Sequence, residues 1–171
     1  MSLTLVTGGA RSGKSRYALA LAESLGPERV FLATAEAWDA EMADRIRRHQ
    51  AERGPGWTTV EAPVDVAPLL DQPGRPVVLD CLTLWLSNLL HHRGPEADLR
   101  PDTDALLAAA QAARNPLIFV TNEVGLGIVP DNALARRFRD EAGWLAQALA
   151  ARADRVILCV AGLPLALKGS P

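Results

Sequence analysis

Eight residues near the start of the chain carry the clearest chemistry. Gly8-Gly9-Ala10-Arg11-Ser12-Gly13-Lys14-Ser15 fits the pattern G-x-x-x-x-G-K-[ST]. A compact apolar run, Leu3-Thr4-Leu5-Val6-Thr7, precedes it and a helical pattern follows, which is the context a phosphate loop needs. Glycines let the backbone curl so that successive N–H groups face inward at phosphate oxygens. The start of the following helix adds roughly half a positive charge towards an anion. Lys14 would place an ammonium beside the β- and γ-phosphates, and Ser15 would offer a hydroxyl to Mg²⁺. The bland alternative is a glycine-rich turn that binds nothing.

A phosphate loop works with an acid at the end of a neighbouring strand, and Val77-Val78-Leu79-Asp80 supplies one. A carboxylate closing an apolar strand is costly unless it is exposed or paired with a cation, so Asp80 is expected near the metal; capping the next helix is the alternative. Glu123, after Phe119-Val120-Thr121-Asn122, occupies the analogous place on another strand. It could orient a water, a hydroxyl or the metal, or simply turn the chain.

The third group lies in 39–53. His49 sits among Arg45, Arg47, Arg48 and Arg53, and a helical period puts Arg45, Arg48, His49 and Arg53 roughly along one stripe. Cations nearby favour a neutral, nucleophilic imidazole and would stabilise the charge of a nucleotidyl-transfer transition state. A solvated charged helix, balanced by Glu41, Asp44 and Glu52, is the alternative. His91 and His92 follow a leucine-rich segment and precede Arg93-Gly94-Pro95, so they read as a surface helix end.

These residues need elements to hold them. Apolar runs at 3–7, 29–34, 76–81, 117–121 and 155–160 read as strands, and Trp57-Thr58-Thr59-Val60-Glu61 as a half-buried one. Near-continuous apolar runs are what strands covered on both faces require. Helices are expected over 14–25, 39–52, 82–91, 103–113 and 133–152. The last should start on Asn132 as N-cap and bury Leu134, Phe138, Leu145 and Leu149 on one stripe. Strands alternating with helices predict an α/β domain with a mainly parallel sheet. Segments 54–56, 73–76 and 94–101 read as surface loops, so 1–171 is expected to be one P-loop nucleotide-binding domain.

Composition narrows the classes. With 49% hydrophobic and 22% charged residues the chain is ordinary globular protein. Its formal charge of −2 argues against a nucleic-acid binder or a charge-held membrane protein. Cys81 and Cys159 lie far apart in apolar runs and read as buried thiols of a reducing compartment. No run reaches the ~18 apolar residues of a membrane span, and no signal peptide is visible. The cytoplasm is the expected location.

Taken in order, Val6 to Ser15, Ala33-Thr34-Ala35, Asp39-x-Glu41-Met42-x-x-Arg45-Ile46-x-x-His49, Trp57-x-Thr59-x-Glu61 and Val120 to Pro130 resemble the bifunctional adenosylcobinamide kinase / adenosylcobinamide-phosphate guanylyltransferases of cobalamin biosynthesis. The resemblance covers almost the whole chain. It implies a RecA-like P-loop fold and two reactions. GTP or ATP phosphorylates adenosylcobinamide; then a histidine attacks the α-phosphate of GTP, and the guanylyl-histidine passes GMP to adenosylcobinamide phosphate. The histidine in the matching block is His49. The resemblance also implies that Gly8, Gly9, Ala10, Arg11, Ser12, Gly13, Lys14 and Ser15 hold the triphosphate. Ala33, Thr34 and Ala35 would line the nucleotide through backbone and hydroxyl contacts. Gln50, Ala51, Glu52, Arg53 and Glu61 would contact guanosine or ribose, with Glu61 able to accept from guanine, and Asp80 would serve with Ser15 at the Mg²⁺. A homo-oligomer, plausibly a trimer, is implied as well. The glycine-rich stretch 121–130 could order over a large corrinoid or be a packed connection. The competing readings are a P-loop small-molecule kinase without a covalent intermediate, which needs no His49, and a RecA-like ATP-binding interaction module, which needs no phosphoryl acceptor.

Overall fold

The computed structural model describes residues 2–37, 39–51 and 53–170; the side chains of Glu41, Arg45, Arg48 and His49 also lie outside the description. Strands β1 (Leu3–Gly8), β2 (Arg29–Ala33), β3 (Trp57–Glu61), β4 (Val77–Asp80), β5 (Leu117–Val120), β6 (Arg155–Val160) and β7 (Leu163–Lys168) form one sheet in the order β3-β2-β4-β5-β1-β6-β7. All neighbours are parallel except β6 and β7. Helices α1 (Lys14–Leu25), α2 (Ala40–Ala51), α3 (Leu82–Arg93), α4 (Arg100–Ala112) and α5 (Ala133–Arg152) connect them, with a 3-10 turn at Ala67–Leu69.

The apolar strands are covered on both sides, as their patterns demand. Leu3, Leu5, Leu79, Leu117 and Phe119 face α3, α4 and α5, where Trp85, Leu86, Leu106 and Leu145 meet them. Val6, Phe31, Val78, Ile118 and Ile157 face α1 through Ala18 and Ala22. Both cysteines are buried and free. The expected strands and helices are present, with three differences. β7 is an additional strand: its Pro164 and exposed leucines mask a strand pattern, and only an edge position tolerates them. Helix α4 starts at Arg100 instead of 103, because Pro101 in its first turn has no N–H to satisfy there. Asn132 does cap α5, accepting from the Ala135 N–H at 3.1 Å, but Leu134 is exposed and Phe138 only half-buried.

The register lines up the carboxyl ends. Glu61 pairs with Ala33, Ala33 with Asp80, Asp80 with Val120, and Val120 with Val6. The candidate acids and the phosphate loop therefore share one edge of the sheet, where open α/β sheets bind ligands.

Candidate active site at the carboxyl edge

The phosphate loop is a closed structure. Gly8 has φ +150°, and a Cβ there would stand 2.4 Å from the Cys159 carbonyl oxygen and 2.7 Å from Ser12 Oγ. Gly13, at φ +94°, is the N-cap of α1, and its missing Cβ would lie 3.1 Å from Gly162 Cα. The Gly162 N–H donates to the Ser12 carbonyl at 3.0 Å, and Arg16 Nη2 donates to the Gly162 carbonyl at 3.4 Å. The β6–β7 turn thus clasps the loop from the side. Sequence patterning missed this turn because its partner lies at the opposite end of the chain.

Two observations fit this cradle to a phosphate. Ser12 Oγ is buried without a hydrogen-bond partner, a cost a ligand oxygen would remove. Lys14 is only 7% exposed and its Nζ donates to the Gly9 carbonyl at 2.8 Å. Burial lowers its pKa; the Asp80 carboxylate works in the opposite direction. A buried ammonium beside a half-buried acid is a charge arrangement that an anion and a cation would complete. Ser15 and Asp80 both offer hard oxygen donors, the chemistry Mg²⁺ takes beside nucleotide phosphates. Burial, followed by the charge of Asp80, raises the Cys81 thiol, and burial also raises Cys159, so neither is a ready nucleophile.

A second cavity, of about 540 Å³, opens at the other end of the edge. It brings together Ala35, Gln50 and Glu61 from the expected set with Glu36, Ile46 and Pro63. Glu61 stands four strand spacings from β1, about 19 Å at ~4.8 Å each. Not every expected residue points there. Arg53 turns to the other face: its guanidinium lies 4.0 Å from the Phe31 ring centroid and donates to Thr59 Oγ1 at 3.2 Å. Ala51 is exposed away from the cavity lining, and Ala33 packs half-buried against the α1-side core. The side chain of His49 and residue Glu52 lie outside the described residues, as does Trp38.

Thr34 corrects a further expectation. It is fully buried, and its hydroxyl donates to the Cys81 carbonyl at 2.9 Å while accepting from the Cys81 N–H at 2.8 Å. That hydroxyl is committed to holding the chain after Asp80, not turned to a nucleotide. Asn88 on α3 extends the bracket, donating to the Thr34 carbonyl at 2.7 Å and the Pro63 carbonyl at 3.0 Å. Trp85 Nε1 donates to the Val64 carbonyl at 2.7 Å. His92 meets Glu36 at 3.0 Å, so this histidine reaches the cavity wall. The three residues sit at i, i+3 and i+7 on α3, one helix face, and fix the strand ends that line the second cavity. An isolated buried Asn was the available signal; its partners are not readable from spacing.

Asn122 donates to Thr83 Oγ1 at 2.7 Å, and the Glu123 N–H donates to the Gly8 carbonyl at 3.0 Å. The Glu123 carboxylate accepts from the Gly125 N–H at 2.5 Å, so it shapes its own turn. The glycine-rich stretch therefore starts against the phosphate loop.

Residues 4–167 match the family model described as cobinamide kinase / cobinamide phosphate guanyltransferase. The chain belongs to this family. It is 48% identical over 170 residues to the bifunctional adenosylcobalamin biosynthesis protein CobP of Pseudomonas aeruginosa, covering 98% of each chain. It is 41% identical over 181 residues to the CobU protein of Salmonella typhimurium, covering 97% of this chain and 99% of that one. Among solved structures, the flagellar accessory protein FlaH from Methanocaldococcus jannaschii superposes with a TM-score of 0.54 at 11% identity over 99% of this chain and 79% of that one. The RadB recombinase gives 0.52 at 15% identity over 92% and 73%. At those identities the likeness shows the fold alone, and it places this cobinamide kinase / guanyltransferase family member on a RecA-like P-loop frame.

Proposed function

We propose that this chain is a bifunctional enzyme of cobalamin biosynthesis, running two transfers on one sheet edge. In the first, the γ-phosphoryl of GTP or ATP passes to the aminopropanol hydroxyl of adenosylcobinamide. Backbone N–H groups of the loop from Gly8 to Ser15 and the Lys14 ammonium carry the charge that develops on the phosphoryl oxygens. Ser15 and Asp80 would hold Mg²⁺, which when bound neutralises further phosphate charge.

In the second, a His49 ring nitrogen attacks the α-phosphorus of GTP and the bond to the β-phosphate breaks, releasing pyrophosphate. A phosphate oxygen of adenosylcobinamide phosphate then attacks the same phosphorus and the P–N bond breaks, giving adenosylcobinamide-GDP. A covalent intermediate divides one hard displacement into two. Gln50 and Glu61, which line the second cavity, would take guanosine, with the Glu61 carboxylate accepting from the guanine edge.

The observation carrying this reading is the cradle itself: Lys14 buried at 7% exposure beside an unpartnered Ser12 hydroxyl, in a chain of this family. Incubation with GTP labelled on the α-phosphate is expected to leave acid-labile, base-stable label on the protein, lost in His49→Ala. Full labelling of His49→Ala would overturn the nucleophile. The exposed stripe of Leu163, Leu165 and Leu167 on β7 supports a homo-oligomer, which we take to be a trimer; light scattering of Leu165→Lys reads this as a fall in mass. Nucleoside triphosphates and free thiols suit a cytoplasmic enzyme.

A further inference from the structure

The geometry points to a corrinoid seat built from the 125–129 stretch and the outer face of α5, with Trp144 as its platform. This inference rests on the reading above, because it seats the acceptor of the kinase step.

The observations begin with exposure. Leu126 is 89% exposed, Ile128 97%, Val129 60% and Trp144 62%. Isolated surface apolar residues mean little, but Val129 and Trp144 line one cavity of about 360 Å³ together with Gly125 and Gly127, and Leu126 and Ile128 stand in the same stretch beside it. Its polar lining is Arg139, Asp140 and Gln147. An aromatic plane with flanking apolar side chains and a few hydrogen-bonding groups suits a flat, largely apolar macrocycle fringed with carboxamides, which is what a corrinoid is.

Position supports the same occupant. The stretch leaves β5 beside the phosphate loop, tied by the 3.0 Å bond from the Glu123 N–H to the Gly8 carbonyl. Helix α5 has 20 residues and β6, which follows it, has 6. At ~1.5 Å per helical residue α5 is about 30 Å long, against about 20 Å for the strand at ~3.3 Å per residue. Its first turns therefore overhang the carboxyl edge, which is why Leu134 is exposed; Arg139 lies near the level of that edge, and Trp144, about 12 Å from the Arg152 end, sits about 8 Å below it. A macrocycle stacked on Trp144 keeps its side arms within reach of the loop that presents the γ-phosphate. The apolar stripe on β7 lies on the edge strand beyond β6 and is the surface assigned above to the homo-oligomer.

The test uses the full chain and dicyanocobinamide as a binding probe, followed by equilibrium dialysis at its visible absorbance. Trp144→Ala and Val129→Ser are each expected to raise the dissociation constant for dicyanocobinamide at least tenfold. They should raise KM for adenosylcobinamide similarly, with kcat within twofold and both nucleotide affinity and solution mass unchanged. Unaltered corrinoid affinity in both variants overturns the proposal. A fall in solution mass accompanying the weaker binding also overturns it, since the patch is then covered by a second copy. Wild-type protein that phosphorylates no cobinamide defeats the parent reading instead, whatever the variants do. Because all the altered side chains are exposed, the variants should fold; Gln147→Ala, expected to weaken binding about threefold, gives an independent reading of the polar rim.

Discussion

Two glycine-rich stretches meet at the carboxyl edge, and they are built on opposite plans. In Gly8–Ser15 the glycines are demanded by contact: a Cβ at Gly8 would collide with the Cys159 carbonyl, and Gly13 lies against Gly162. In 123–130 they are demanded by almost nothing. A Cβ on Gly127 meets no atom within 4 Å, and one on Gly125 meets only the flexible Glu123 carboxylate at 2.9 Å. The first stretch is preformed and held by a backbone bond to the β6–β7 turn; the second is tied at its two ends, Glu123 to the Gly8 carbonyl and Pro130 to Arg136, and between them exposes its leucine and isoleucine. A phosphate is small and the same in every nucleotide, so a rigid cradle suits it. A large acceptor needs a surface that can adapt.

The contrast can be broken most severely at Gly8. Gly8→Ala is expected to lose nucleotide binding and both transfers more than 100-fold and to lower stability by more than about 3 kcal/mol, read by nucleotide titration and denaturant melts. Lys14→Met should abolish both transfers yet stabilise the protein. A lysine whose folded pKa is lowered costs stability while it remains charged. The cost is full below the folded value and fades as pH rises towards the unfolded 10.5, because there the unfolded chain holds the proton that the native one has released. The stability gap between Lys14→Met and wild type should therefore be largest near neutral pH and shrink as 10.5 is approached; a gap constant with pH would contradict the burial argument.

Thr34→Val tests the bracket between the two ends of the edge. It leaves the Cys81 N–H unpaired in the core while the Cys81 carbonyl keeps the Trp85 N–H, at a cost of about 1–3 kcal/mol, whereas Thr34→Ser should stay within ~1 kcal/mol. Equal losses in both would mean packing, not hydrogen bonding, holds Asp80 in place. At the small end, Gly127→Ala should leave nucleotide affinity unchanged and raise stability by about 0.5 kcal/mol by restricting the unfolded chain. A loss beyond 1 kcal/mol would show that the 123–130 stretch is as tightly held as the phosphate loop.

Much of the architecture could be read from the residues, for a physical reason. Strands buried on both faces must be apolar throughout, so β1, β2, β4, β5 and β6 stand out as runs, and the phosphate loop announces itself because its geometry admits few residue types. Edge strand β7 escaped because it is under no such demand. Leu134 followed the helical period but not the overhang of α5, which depends on the length of β6. Trp85 and Trp144 look alike in sequence; one is buried over the sheet and the other stands in solvent. At the site, Ala35, Gln50 and Glu61 share one cavity, a grouping expected from the family resemblance and not from spacing, while Arg53 turns to Phe31 and the Thr34 hydroxyl to Cys81, partners that neither spacing nor composition reveals. The Thr34–Cys81, Asn88–Pro63 and His92–Glu36 pairings join residues tens of positions apart, and a single chain gives no periodic signal for those.

The clasp between Gly162 and Ser12 has a consequence during synthesis. A nascent chain whose ribosome has reached residue 130 already carries the phosphate-loop residues, Asp80 and β5. It still lacks β6, which flanks β1, and the turn that fixes the Ser12 carbonyl. Such a chain owns every charged group of the cradle and cannot yet shape it. Triphosphate capture should therefore switch on late in translation, after the codons for 155–168 have been read, which protects an incomplete polypeptide from engaging nucleotide.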